Sequence, residues 1–345
     1  MPPVIIPQPN RPKIGLALGS GAARGLAHIG VIRELKKFGL SPDIICGSSI
    51  GAFMGAAHIL GRLDDVQDWL AGMSTYELVR QMDIKLLASS GLADGENMLR
   101  FVIEEFGNPN IEDLDLPYAA IATDMKTGRE IWLQEGPIWN AARASMALPG
   151  MLTPINLNGR WLLDGGLVNP VPVSVCKALG ADIIIAVNLN GDLVSRDQVL
   201  IRDDTVSEEV YSAEQQTGDS KSDSKRPETA TAASEDQISF FEKLSASIRE
   251  RTTPLVEQWM SPSEEAPGLF NVVSSSINIM QDRITRSRLA GEPADLILTP
   301  RLSHIGMLEV TRAEEIVAEG EACVQRMNAV IEHRLGLRAE DQSSV

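Results

Sequence analysis

The chain is short of cysteine, of basic charge and of long apolar runs, and each shortage closes a class of explanation. Its three cysteines, Cys46, Cys176 and Cys323, stand far apart in apolar surroundings and form no C-x-x-C. Neither a disulfide framework nor a zinc site is indicated, and buried thiols in a reducing compartment are expected. No stretch reaches the roughly 18 apolar residues of a membrane span, and Met1 to Lys13 carries prolines without the apolar run of a signal peptide. The expected location is therefore the cytoplasm, with transient contact at a membrane surface left open. Lysine and arginine number 31 against 47 acidic residues, a net charge of -16. Such a charge repels nucleic-acid phosphates, so no nucleic-acid partner is expected, and it argues against strong electrostatic adhesion to an anionic membrane.

What is present is enough for a proper core. With 345 residues, 43% of them hydrophobic, the chain suits one large α/β domain or a domain with an appendage. Ile44-Ile45-Cys46-Gly47-Ser48-Ser49-Ile50-Gly51 reads as a short apolar strand, a turn and a helix start. At its centre Gly47, Ser48, Ser49, Ile50 and Gly51 make a G-x-S-x-G pentapeptide. A strand-to-helix elbow lifts a serine oxygen clear of the backbone, the flanking glycines relieve the crowding, and the helix N-terminus favours an oxyanion.

Ahead of it, Lys13 to Leu18 alternates into a strand, Gly19 to Gly25 forms a small-residue loop, and Leu26 to Phe38 is an amphipathic helix with Ile29, Ile32 and Leu35 on one face. Residues 13 to 60 thus form a β-loop-α-β-elbow-α unit, the start of a parallel sheet. Further strands are expected at Tyr118 to Thr123, Glu130 to Leu133, Arg160 to Leu163 and Asp182 to Asn188, with helices at Trp139 to Met146 and Pro172 to Leu179. From about 191 to 237 the chain is rich in Ser, Thr, Asp and Glu without apolar period, which reads as a disordered acidic insertion. Phe240, Phe241, Leu244 and Ile248 recur at helical spacing and suit docking on the core better than a lipid face. A helix at Ile277 to Leu289, a strand at Asp295 to Thr299 and a closing helix at Thr311 to Leu335 follow. The expected segments are a tail at 1–13, a domain at 14–190, the insertion at 191–237, a mostly helical region at 238–338 that completes the fold, and a tail at 339–345.

Three features need one explanation: the glycine loop, Ser49, and Asp164 at a strand end before Gly165 and Gly166. A dinucleotide site is disfavoured because Ser20 or Arg24 breaks G-x-G-x-x-G in either frame and no carboxylate follows at the usual spacing. Backbone N-H groups beside an elbow serine suit an oxyanion hole instead. For the base, His28, His58 and His333 fall within helices, His304 lies in a loop, and Asp164 sits where α/β sheets place their chemistry. A turn aspartate would read the same way in isolation.

Taken together, Gly19 to Gly30, Gly47 to Gly51, Ala142 to Pro149 and Asp164 to Pro172 resemble the patatin-like phospholipase family, most closely its bacterial branch related to neuropathy target esterase. The match runs from about Ile14 to Asn188. The resemblance implies a three-layer α/β/α fold on a mostly parallel sheet with a helical C-terminal part. It implies a serine lipid acyl hydrolase of lipid degradation, with a Ser-Asp dyad, no cofactor and no metal. Ser49 then corresponds to the nucleophile, Asp164 to the proton acceptor, and Gly21, Ala22 and Arg24 to the oxyanion site. Ser20 and Ala22 depart from the family's glycines, and a side chain at a position of positive φ would be strained. Phe53, Met54, Met146 and Met151 are candidates for an apolar approach. Phospholipid, lysophospholipid, monoacylglycerol and small esters all remain open as substrates. The competing reading is a regulatory or scaffold module that works through a protein partner of unknown identity.

Overall fold

The computed structural model describes residues 11–73, 94–193 and 269–335. In chain order the strands are β1 (Ile14–Leu18), β2 (Ile44–Ser48), β3 (Tyr118–Asp124), β4 (Glu130–Leu133), β5 (Ile155–Leu157), β6 (Arg160–Asp164), β7 (Ile183–Val187) and β8 (Leu296–Leu298). The helices are α1 (Ala27–Lys37), α2 (Ile50–Ile59), α3 (Leu63–Ala71), α4 (Glu96–Phe106), α5 (Ile138–Ser145), α6 (Val173–Ala178), α7 (Leu269–Gly291), α8 (Ala313–Arg326) and α9 (Asn328–Leu335).

The strands form one sheet in the order β5-β6-β3-β2-β1-β7-β8, with β4 also paired to β3. Strands β8, β7, β1, β2 and β3 run parallel, while β4 and β6 lie antiparallel to β3 and β5 antiparallel to β6. Both β1 and β2 are buried along their whole length, as unbroken apolar runs require when helices cover both faces. Leu16, Leu18 and Ile45 enter one core with α1, α2, α5 and α8, whereas Ala17, Ile44 and Cys46 enter a second with Val173, Val175 and Cys176 of α6. The period of two along each strand thus builds the three layers.

Helices α1 and α8 cross at two glycines. A Cβ on Gly30 would stand 2.0 Å from the Val317 carbonyl oxygen, and one on Gly320 would stand 2.2 Å from that of Ala27. The backbones are in direct contact there, and only hydrogen fits. Around the other end of this layer Phe53, Trp69, Phe101, Phe106 and Trp139 pack ring on ring, with Trp69 and Phe101 stacked at 4.5 Å between centroids.

The expected elements lie where the sequence places them, with three differences. The predicted closing helix is two, because the Met327 N-H turns back to the Val324 carbonyl and tightens the chain between α8 and α9. Helix α7 starts at Leu269 rather than Ile277. Helices α3 and α4 and the three-residue β5 were not anticipated, although Leu63, Val66 and Leu70 of α3 do repeat on one buried face. From 194 onward the acidic insertion, and with it Phe240, Phe241, Leu244 and Ile248, lies outside the described residues. Described residues 11–193 and 277–335 belong to one compact unit; residues 269–276 belong to a second and are helical. No helix among the described residues is long and apolar enough to cross a membrane.

Gly320→Val is expected to cost about 2 to 3 kcal/mol by overpacking the α1–α8 crossing. Gly291→Ala, where an added Cβ meets open space, is the neutral control; urea unfolding of both variants checks the pair.

Candidate active site

Ser49 stands between β2 and α2 at φ 55° and ψ -126°, a left-handed backbone that L side chains rarely adopt. Its neighbours fix it there. A Cβ on Gly47 would lie 2.4 Å from the Ala52 nitrogen, and one on Gly51 would lie 2.1 Å from the Leu18 carbonyl oxygen. The start of α2 can therefore press against β1 and β2 only if both flanks are glycine. The Ser49 carbonyl accepts the Ala52 N-H at 2.9 Å, and the Ser49 N-H donates to the Ser145 hydroxyl at 2.8 Å. Ser145, wholly buried at the end of α5, in turn donates its hydroxyl hydrogen bond to the Ile121 carbonyl. Ser48 is buried at the end of β2, and Ile50 packs where a Cβ on Gly25 would stand 2.2 Å from its Cγ1.

The sheet brings Asp164 to the same point. Strand β3 pairs with β2 through residues 118–121 and with β6 through 122–124, while β4 pairs with 120–123. A strand has two edges, and β4 overlaps both of the others, so β2 and β6 share the opposite edge end to end. One is parallel and the other antiparallel to β3, so their carboxyl ends meet. Ser49 follows one end and Asp164 closes the other.

The Ser49 hydroxyl donates to Asp164 Oδ2 at 2.6 Å, and the Gly166 N-H donates to Oδ1 at 2.6 Å. The Asp164 backbone is held by its N-H to the Ala147 carbonyl at 2.9 Å and by the Thr123 hydroxyl on its own carbonyl at 2.7 Å. Gly165 is required because its Cβ would stand 2.1 Å from the Ile121 carbonyl oxygen. Asp164 has no exposed surface, and burial lifts its pKa to about 7, against the pull of the Ser49 and Gly166 hydrogen bonds.

The glycine loop lies beside Ser49. The Gly19 N-H bonds to the Val187 carbonyl, the Ser20 N-H to the Pro170 carbonyl, and the Ala23 N-H to the Met307 carbonyl. The N-H groups of Gly21 and Ala22 have no acceptor among the described residues. The Arg24 N-H and its Nε both turn back to the Gly21 carbonyl at 3.2 Å, and one terminal nitrogen reaches Asn278 Oδ1 of α7 at 3.0 Å. Arg24 is 1% exposed and burial lowers its pKa to about 10, so the guanidinium is an internal brace. Ala22 has φ 51°, so a side chain does occupy a left-handed position there, at a cost of about 1 kcal/mol. Ser20 does not: its φ is not positive, and its buried hydroxyl donates to Gln281 Oε1 at 3.0 Å.

None of the four histidines bonds to Ser49 or Asp164. His28 is wholly buried with Nε2 2.8 Å from the Gly19 carbonyl, and burial drives its pKa down to about 4. It is a neutral donor that pins the start of the loop. His304, the loop histidine, pairs with Glu315 at 2.8 Å on the surface.

Ser49 and Ala22 open onto a cavity of about 120 Å³. Phe53, Met54, Met146 and Met151 all line it, joined by Met98 and Met307. Five unbranched thioethers make a wall that adapts to a flexible apolar guest. Among the described residues no group of three or more His, Cys, Asp or Glu side chains could hold a metal ion.

Ser145, His28, Asn278 and Gln281 are site-holding residues that sequence reasoning missed. Ser145 lay within the flagged stretch from Ala142 to Pro149 but had no local signal of its own. His28 lies within the Gly19 to Gly30 stretch and works through the Gly19 carbonyl nine residues back, whereas Asn278 and Gln281 act only through distant partners.

The site thus sets a serine on a strand-turn-helix elbow, bonded to a buried carboxylate at the wall of an apolar cavity, within an α/β protein. A patatin-like phospholipase model matches residues 16–177. A protein of Mycobacterium tuberculosis described as an uncharacterized NTE family protein is 34% identical over 327 residues, covering 91% of this chain and 90% of the relative. A lysophospholipase NTE1 of Coccidioides immitis is 38% identical over 184 residues, which are 51% of this chain and 11% of that protein. A patatin-like phospholipase domain-containing protein of Caenorhabditis elegans is 39% identical over 180 residues, 50% of this chain and 13% of its own length. The chain belongs to the patatin-like phospholipase family, a family of carboxylic ester hydrolases, and to its NTE-related branch.

Two outcomes follow for the folded chain. Asp164 titrates near 7 when folded and near 4 when unfolded. The unfolded chain therefore releases this proton first as pH rises, and the Asp164 contribution to stability is full below pH 4 and is lost up to about 7. Relative to Asp164→Asn, which does not titrate, the native chain should lose up to about 4 kcal/mol between pH 4 and 8, read by denaturant unfolding across pH. Ser145→Ala leaves the Ser49 N-H and the Ile121 carbonyl unpaired and should cost about 1 to 3 kcal/mol in the same measurement.

Proposed function

We propose that the chain is a serine lipid acyl hydrolase in which Ser49 is the nucleophile and Asp164 the proton acceptor. The observation that carries this reading is the 2.6 Å hydrogen bond from the Ser49 hydroxyl to a wholly buried Asp164 carboxylate, beside an apolar cavity. Asp164 takes the Ser49 proton as the hydroxyl oxygen attacks the ester carbonyl carbon. The tetrahedral oxyanion is received by the N-H groups of Gly21 and Ala22, with the N-terminal end of α2 adding its partial positive charge. Arg24, read from the sequence as part of that site, contributes by holding the loop rather than through its own N-H. As the carbon-oxygen bond breaks, Asp164 returns the proton to the leaving alcohol, and the acyl group stays on Ser49. Water then attacks the acyl-enzyme along the same route, and the free acid leaves.

A carboxylate at its ordinary pKa of about 4 is a poor match for a serine proton, and desolvation narrows the gap. The apolar cavity suits one acyl chain of a lipid ester, and a lysophospholipid is the substrate favoured by the NTE1 lysophospholipases, whose match spans about half of this chain. Three buried free thiols fit a cytoplasmic setting. The domain at 14–190 is read as completed by the later region, which supplies α7 and α8.

The test is intact-protein mass after incubation with a fluorophosphonate, followed by fatty-acid release from a panel of phospholipid, lysophospholipid, monoacylglycerol and a soluble ester. The native chain should take one adduct, on Ser49. Ser49→Ala and Asp164→Asn should each lower acyl release by about a thousandfold or more. A native chain that takes no label and releases nothing overturns the reading and leaves a partner-binding module, with the strained Ala22 as the point of failure.

Because the base must be ionised, kcat/KM on a soluble ester should rise tenfold per pH unit below about 7 and level off above it. A profile flat from pH 5 to 8 would remove Asp164 from the role of base.

A further inference from the structure

Three large apolar side chains stand uncovered near one end of the sheet: Met125 at 57% exposure, Trp132 at 39% and Trp161 at 54%. They share a face. Trp132 pairs with Ile121, while Glu130 and Leu163 both pair with Thr123. The Met125 N-H donates to the Trp161 carbonyl at 2.9 Å, which carries the β3–β6 ladder one step past the strand end. Paired residues point the same way and alternate residues share a face. Residues 121, 123 and 125 therefore align with 132, 130, 163 and 161. Toward the centre of the sheet this face is closed by Ile121 packing with Val171 and Val173, but at Met125, Trp132 and Trp161 it is open.

The charge around these side chains runs against that of the chain. Lys126 and Arg129 on the β3–β4 turn and Arg160 at the start of β6 are exposed. None of the three makes a salt bridge within 4 Å among the described residues, although Arg160 is near enough to Asp124 to help lower its pKa. The nearby carboxylates are already engaged: Asp124 accepts the N-H groups of Lys126 and Thr127, and Glu130 pairs with Arg288 at 2.6 Å. A chain of net charge -16 thus presents three exposed cations at this end of the sheet: Lys126 on the turn, and Arg129 and Arg160, which by the same alternation fall with Asp124 and Leu162 on the face opposite the indoles, at its edge. This turn follows β3 at its carboxyl end, the end at which Ser49 follows the parallel β2. Trp161 precedes Asp164 by three residues, about 10 Å along the strand.

We propose that this corner of the sheet docks the protein on an anionic lipid bilayer. Trp161, Trp132 and Met125 enter the boundary between headgroups and acyl chains, where indoles are favoured, and Lys126, Arg129 and Arg160 meet the headgroup phosphates. The net negative charge weighed against membrane adhesion in the sequence, but a bilayer meets this corner first, and beyond a Debye length of roughly 10 Å the remaining charge is screened. Docking is independent of hydrolysis, so it is measured on Ser49→Ala, which leaves the vesicles intact.

The experiment is co-sedimentation of the full Ser49→Ala chain with vesicles of phosphatidylcholine alone and of phosphatidylcholine mixed with phosphatidylglycerol. The chain should bind the mixed vesicles and bind neutral ones far more weakly. Lys126→Gln and Arg129→Gln should each reduce that binding about fivefold, and Trp161→Ser should reduce it further. The same three substitutions in the Ser49 chain should leave turnover of a soluble ester within about twofold. If Trp161→Ser fails to fold by circular dichroism, the two exposed turn variants decide alone. The proposal is overturned if the chain ignores both vesicles, or if the glutamine variants bind like the parent. It is also overturned if light scattering finds a dimer that Trp161→Ser abolishes, since the patch then belongs to a second copy of the chain.

Discussion

One edge of β3 is shared by two strands, and the site exists because of that sharing. β2 arrives parallel and stops beside Ile121; β6 arrives antiparallel and stops beside Ala122. Everything near the junction is shaped to let two chain ends meet. Gly165 turns the chain away where any side chain would strike the Ile121 carbonyl, and Gly47 and Gly51 let α2 leave at once. Ser145 ties the Ser49 N-H to β3 itself through the Ile121 carbonyl. Ser49 is therefore held in a strained conformation by several separate elements, which is how such strain persists in a folded protein. The junction also explains why a carboxylate reaches the serine directly: with 2.6 Å between the two oxygens, no imidazole fits between them.

The same burial acts in opposite directions on two groups of this site. It raises Asp164 to about 7, toward the range where a base works best near neutral pH, and it lowers His28 to about 4, so that the imidazole stays neutral. The first group is proposed to move a proton. The second must not: its task is to donate one hydrogen bond to the Gly19 carbonyl at every pH in between. The apolar cavity that would receive an acyl chain reaches Ser49, whose hydroxyl bonds to the buried Asp164. Opening the site to water would weaken substrate binding and lower the base's pKa together.

Those parts of the fold and site that rest on short-range pattern were legible in the sequence. The elbow declares itself through glycines two residues either side of a serine, and Asp164 through its place before two glycines. Unbroken apolar runs identify β1, β2 and β7, because strands covered on both faces cannot alternate. Ser145 could not be found this way, since a serine ending an alanine-rich helix has many uses and only the arrival of Ser49 selects one. Nor could β5, whose three residues are too few for a period to show. Trp161 and Met125 carry no signal for a related reason: their exposure depends on where the covering layer ends, which tertiary packing decides and neighbours in sequence do not.

The loop at Gly19 to Gly25 is where the C-terminal region proves to be more than an appendage. The resemblance implies glycine at position 20, and the serine found there gives its hydroxyl to a buried acceptor on Gln281, which also accepts from Asn190. One turn earlier on the same helix, Asn278 takes the Arg24 guanidinium that folds back on the Gly21 carbonyl. A Cβ on Gly166 would stand 2.4 Å from the Gln281 Nε2, so this side chain touches both the loop and the turn that holds Asp164. The two halves of the site are thus referenced to a single helix face contributed after residue 277. A loop with side chains in place of glycine loses backbone freedom, and here the lost freedom is replaced by hydrogen bonds to α7. Ala22 is the exception, with a left-handed φ and no such compensation, and its N-H, like that of Gly21, has no acceptor among the described residues. In the proposed mechanism this strained backbone sets the direction of one of the two N-H groups offered to the oxyanion.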